Sequence, residues 1–238
     1  MPRLFTWLLG AVLLAGAASA APAGPSLKIV VYGGTGNIGR RIVHEALARG
    51  HTVKIIVRDP GTATEHDARL TAVQGDVLDA RQVAQQIAGE DVVVCAVSFR
   101  KPPDFAAYRR AAESLVGAQR TLGARAPRLI VVGGAGSLEV APGVLLVDRL
   151  PAAYRGEVTG QKEALDYYRT ASDVPWTYFS PARTIEPGTR TGKFRLGGDQ
   201  LITDAKGDSR ISMEDYAVAV IDEAEKPAHL HGRFTIGY

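Results

Sequence analysis

The fold class predicted for this 238-residue chain is α/β: a doubly wound parallel sheet in one domain, with a small extension near the C-terminus on the substrate side. Three observations predict it. Six apolar runs, LKIVVYG, TVKIIV, LTAVQG, DVVVCAV, RLIVVGG and WTYFSP, are rich in Val and Ile and lack polar alternation, as strands covered on both faces do. Segments of helical period separate them at 37–49, 79–89, 104–122 and 155–171, and this alternation calls for right-handed crossovers. A glycine-rich turn joins the first run to the first helix.

In order along the chain, the first residues read differently from the rest. MPR is a short basic start, LFTWLLGAVLLAG an apolar stretch, and Ala18-Ser19-Ala20 a small-residue cleavage site. Together they predict a secretory signal peptide over 1–20, hence an exported or periplasmic protein with no stable membrane association once the leader is removed. An uncleaved leader, leaving the protein anchored or cytoplasmic, is the alternative. A spacer follows at 21–26, and the domain occupies 27–238.

The first helix carries Ile38, Ile42 and Ala46 four apart, with Val43 and Leu47 beside them, which makes one apolar face. Residues 136–153 are long and proline-interrupted for a connection and read as a binding loop. Residues 185–210 are rich in Gly, Thr and basic side chains, with short strand-like pieces FRL and LIT. Ser212 then caps a helix, with Asp215 three positions on, and GRFTIGY reads as the last strand. The 28 basic and 25 acidic residues are dispersed, which argues against a nucleic-acid partner. Cys95 is the one cysteine, so an internal disulfide and a thiolate metal cluster are both excluded; within VVVCAV it reads as a buried, inert thiol.

The turn reads Gly33-Gly34-Thr35-Gly36-Asn37-Ile38-Gly39 and fits glycine spacing at 34, 36 and 39 or at 33, 36 and 39. Preceded by a strand and opening a helix, it directs free backbone N–H groups and the positive end of a helix dipole at one point, where absent side chains admit a pyrophosphate. This is the pattern of a Rossmann-like dinucleotide site. No Gly-Lys-Ser/Thr follows, which excludes a P-loop. At the end of the second strand stands Arg58, followed by Asp59; a guanidinium there suits the 2′-phosphate of NADP, whereas Asp59 taking the ribose would suit NAD. Ligands lie outside the carboxyl ends of such strands, so Asp76 and Val77 would flank the adenine and Ala96, Val97 and Ser98 the nicotinamide side.

GGTGNIG, VRDP, GDVLD, VVVGGAGSLEV, WTYFSPA, RTGKFRLGGD and ISMEDYAVAVIDE together resemble the atypical short-chain dehydrogenase/reductases, in the group of NAD(P)H-binding, NADH-flavin reductase-like proteins. Biliverdin IXβ/flavin reductases and NmrA-like proteins are among its relatives, and the resemblance runs from Lys28 to Tyr238. It implies that Gly33, Thr35, Gly36, Asn37 and Ile38 hold the pyrophosphate, Arg58 the adenosine phosphate, and Asp76 and Val77 the adenine. Ser98, Ser137 and Ser180-Pro181-Ala182 would border the nicotinamide.

The larger superfamily uses a tyrosine with a lysine four residues on, one helical turn away, to lower the phenol's pKa. None of the eight tyrosines has that partner; Tyr154 is nearest in location, with Val158 where the lysine would stand and Lys162 a turn further. Ser137 and Tyr154 are the candidate catalytic side chains. The expected function is an NAD(P)H-dependent reductase passing hydride directly to a flavin or similar conjugated ring, for which solvent can supply the proton. The alternative is a non-catalytic NADP-binding redox sensor of NmrA-like kind, and the missing pair argues against an epimerase or dehydratase. Phe99, Tyr178 and Phe179 could form an apolar platform or belong to the core. Arg100-Lys101 with Arg109-Arg110 could attract a flavin phosphate or form a solvated face, and His229 with His231 lacks a third metal ligand.

Overall fold

The computed structural model describes residues 25–100 and 103–238, so the leader expected at 1–20 lies outside the described residues. All six apolar runs form strands: β1 (Lys28–Tyr32), β2 (Thr52–Val57), β3 (Leu70–Gln74), β4 (Val92–Cys95), β5 (Arg128–Val132) and β8 (Trp176–Ser180). Joined by β12 (Gly232–Gly237) and β10 (Arg195–Gly197), they make an eight-stranded sheet in the order β10-β12-β8-β5-β4-β1-β2-β3. Every pairing is parallel except β10 on β12. The strand order reverses at β1, so the turns after β1 and β4 diverge and open a crevice at the carboxyl edge.

Register explains why one sequence serves two cores. Ile56, Tyr32, Cys95, Val131, Tyr178 and Arg233 lie side by side across the sheet on one face. That face packs against α2 (Ala80–Ile87), α3 (Ala107–Leu122) and α4 (Ala152–Thr170). Alternate residues such as Ile29, Val31, Ile55, Val94 and Ile130 face α1 (Asn37–Ala48) and α5 (Met213–Glu225). Strands buried on both faces need no polar alternation. Phe179 is fully buried, stacked between Tyr216 and Phe234 at centroid distances of 4.3 and 3.9 Å; burying such a ring stabilises by about 2–3 kcal/mol.

Several expectations change. The 136–153 loop contains a hairpin, β6 (Glu139–Ala141) and β7 (Val144–Leu145), turned at Gly143, and α4 starts three residues earlier than its periodicity suggests. LIT, 201–203, is not a strand: its one ladder-like contact is the Leu201 N–H donated to Glu139 O, and Ile202 packs against Gly197 and Gly237 instead. β9 (Thr184–Glu186) and β11 (Arg210–Ser212) form an unforeseen parallel pair, too short to leave a periodic signal. Phe179 and Tyr178 belong to the core, and Phe99 is partly buried with its ring edge-on to Tyr108 at 5.0 Å.

Candidate functional site

The turn between β1 and α1 decides between the two glycine spacings. Gly33 has φ +79°, and a Cβ there would lie 2.5 Å from Ala96 O, so a side chain is opposed by both backbone conformation and the β4 turn. A Cβ on Gly39 would lie 2.1 Å from Gly33 O, which lets α1 dock directly on the turn. Gly36, exposed, donates its N–H to Gly33 O at 2.9 Å and serves as N-cap of α1 with no side-chain acceptor and no acid in the first turn. The working spacing is therefore 33, 36 and 39. Gly34 instead makes room for Ile55 of β2, 2.5 Å from where its Cβ would be.

Thr35, Gly36 and Asn37 are exposed and Ile38 is half-buried, so the first-turn amides of α1 open outward over the crevice. Such a cradle, with no side-chain cap and no acid in its first turn and aligned with the helix dipole, fits a pyrophosphate. Arg58 is exposed just past the end of β2, where among the described residues only its carbonyl is engaged, by Gln74 Nε2 at 3.2 Å. Asp59 turns away: its carboxylate accepts the Gly61 N–H at 2.9 Å and caps the short helical turn Pro60–Thr62. Asp76 is exposed and Val77 buried, and one Asp76 oxygen accepts the Leu78 N–H at 2.9 Å. Ala96 and Val97 are half-buried and Ser98 exposed beyond β4, where the Ala96 N–H extends the ladder to Tyr32 O.

The nicotinamide-side expectations spread apart. Ser180, Pro181 and Ala182 end β8 with buried side chains, the Ser180 hydroxyl without a partner. Ser137 is buried, its Oγ accepting from Arg233 Nη1 at 3.3 Å; the Arg233 side chain is 3% exposed and paired with Asp199. Tyr154 stands 68% exposed at the start of α4, and Val158 packs into the space over Gly136. Arg100 pairs with Glu157, Arg109 with Glu113 and with the Tyr167 ring, and Arg110 with Asp104, so each of these three guanidinium groups already faces a carboxylate. His229 pairs with Glu223 at 2.7 Å and stacks on Phe234.

Sequence reading missed a clamp beside this region. Tyr108, at the start of α3, donates its hydroxyl to Glu157 of α4 at 2.9 Å and accepts the Phe99 N–H. Burial first, and the Glu157 carboxylate second, raise the phenol above its ordinary range, so it stays protonated and acts as a tie between the β4–α3 loop and α4. Glu157 and Gln161, four apart, do share a helix face, but that spacing alone does not tell a site from solvent.

A mostly parallel sheet with an open crevice at its switch point and an uncapped helix terminus there defines a dinucleotide-binding Rossmann protein. The chain belongs to the NAD(P)H-binding family, whose pattern matches residues 33–227. A solved structure of a candidate exported protein from Burkholderia pseudomallei is 41% identical, with TM-score 0.80 over 89% of this chain and 100% of that one. A candidate epimerase from Bacteroides thetaiotaomicron is 36% identical, TM-score 0.82, over 90% and 97%. A candidate NADH-flavin reductase from Streptococcus pneumoniae is 30% identical, TM-score 0.79, over 89% and 99%. The three share the fold; of their names, one states only export and the other two point to different chemistries.

Proposed function

We propose that the protein is an NADPH-dependent reductase of a flavin or similar conjugated small molecule. One observation carries the coenzyme choice: the exposed Arg58 side chain at the end of β2 has no partner among the described residues, while the neighbouring Asp59 carboxylate caps its own turn. A 2′-phosphate would meet a guanidinium there and no opposing carboxylate. The bound dihydronicotinamide would supply a hydride. The chain's own residues hold the pyrophosphate through the α1 amides and shield the reacting face with Val97, Phe99 and Val132, all partly buried. Among the described residues no side chain in the crevice is arranged to deliver a proton as a tyrosine–lysine pair would, which suits a conjugated acceptor protonated by solvent better than a carbonyl or an epimerisation.

The test is steady-state oxidation of NADPH and NADH with flavin mononucleotide or riboflavin. Arg58→Ala should weaken NADPH binding about tenfold and leave NADH within twofold. Tight coenzyme binding with no turnover across a panel of flavins and quinones would replace the reductase with a redox sensor. The leader pattern at 1–20 and the name of the Burkholderia protein support export, which mass measurement of the mature N-terminus checks.

A further inference from the structure

The geometry points to Gln161 as the residue that holds the nicotinamide riboside half of the coenzyme. The inference rests on the dinucleotide reading above and adds a contact to it. The adenosine end is assigned to β2 and β3, on one side of β1 in the sheet, so a dinucleotide crossing the glycine turn lays its other half over β4 and β5. A narrow cleft opens there between the ends of those strands and α4, lined by Cys95, Val97, Val132 and Tyr178 and, from α4, by Gln161.

Its polar side chains are mostly spoken for. The Tyr178 hydroxyl donates to Gln161 O at 3.0 Å and the Tyr108 hydroxyl to Glu157, while the Tyr168 ring is 1% exposed and lies deeper in the core. The Gln161 carboxamide, by contrast, is half-buried and has no hydrogen-bond partner among the described residues. The amide keeps contact with solvent, so its two donors and its acceptor are open to a ligand. Its position is also built: a Cβ on Gly134, at the end of β5, would stand 1.8 Å from Gln161 Oε1, so the glycine clears the space the amide occupies. An uncharged amide in that place complements the carboxamide and ribose hydroxyls of a nicotinamide riboside, both of which donate and accept.

Calorimetry on the full chain separates this contact from coenzyme binding in general, using NADPH and 2′-phospho-ADP-ribose, which lacks the nicotinamide. Gln161→Leu should weaken NADPH about tenfold and leave the fragment within twofold. Gly134→Ala, which pushes the same amide aside, should do likewise, and Gln161→Glu, which keeps the shape and folds through the same packing, should lie between. Equal losses for both ligands, or none, would overturn the assignment while leaving the coenzyme reading intact. Absence of binding of either ligand to the unaltered chain would remove both.

Discussion

α1 and α5 lie side by side and run the same way: Arg41 near the start of α1 pairs with Glu214 at the start of α5, and Arg49 just past the end of α1 pairs with Asp222 and Glu225 near the end of α5. Both therefore present their positive ends at the carboxyl edge, yet they use them oppositely. At α5, Ser212 Oγ accepts the Asp215 N–H, and Glu214 and Asp215 place two carboxylates in the first turn. Asp215, fully buried, accepts from the Thr191 N–H and hydroxyl, the Gly192 N–H and the Tyr238 hydroxyl, while Glu214 takes the Gly188 N–H. That terminus is spent on fastening the 188–192 loop and the last residue. At α1 the cap is glycine and the first turn carries no acid. The same dipole closes the fold in one helix and receives an anion in the other, and side-chain choice alone makes the difference.

Four measurements break or sharpen this contrast. The largest effect is expected from Asp215→Ala, which removes the one buried carboxylate that four donors share; denaturant unfolding should show a loss of about 3 kcal/mol, with coenzyme affinity changed only a few-fold in whatever remains folded. Next is Gly36→Asp, which gives α1 the acid that α5 already has. Its φ of −74° and ψ of 170° suit an aspartate cap, so thermal stability should hold or rise while calorimetry records at least a hundredfold weaker NADPH, about 2.7 kcal/mol. A protein that binds as before would show that the amides of α1 do not cradle the pyrophosphate. Ser212→Ala should cost about 1 kcal/mol of stability and nothing in coenzyme affinity.

The smallest effect is a slope. Burial raises Glu45, but hydrogen bonds and charge from Arg190 and Arg49 outweigh it and hold the carboxyl below its ordinary value of 4.5. A lowered carboxyl contributes stability that is complete above its unfolded value and is lost as pH falls through the folded one. Melting temperature should therefore decline from pH 5 downward, and Glu45→Gln should flatten that decline.

The glycine turn was legible in the sequence because its elements are contiguous: a strand end, its turn and a helix start fall within about a dozen residues, and backbone geometry follows from spacing; the position of Arg58 just past β2 was legible from the run that precedes it. Likewise the inner strands among the six were legible, since burial on both faces leaves unbroken Val and Ile runs, whereas β3, at the sheet edge, has no fully buried residue and shows only a short apolar run. Tyr108, Glu157 and Gln161 were not, because their meeting depends on which face of the sheet α3 and α4 cover and on glycines at 134, 136, 156 and 160 that let α4 approach its neighbours. LIT failed as a strand for a related reason: its β-propensity is real, but the partner beside it is a short hairpin that offers one bridge.

Cys95 closes β4 at the wall of the cleft, 4% exposed, and burial lifts its thiol to about 12. At neutral pH it is therefore unreactive in the closed molecule, and alkylation must wait for the crevice wall to loosen. The chain thus carries its own stopwatch for breathing at that edge: the labelling rate counts openings, and a ligand seated across the gap should slow the count without touching the sulfur.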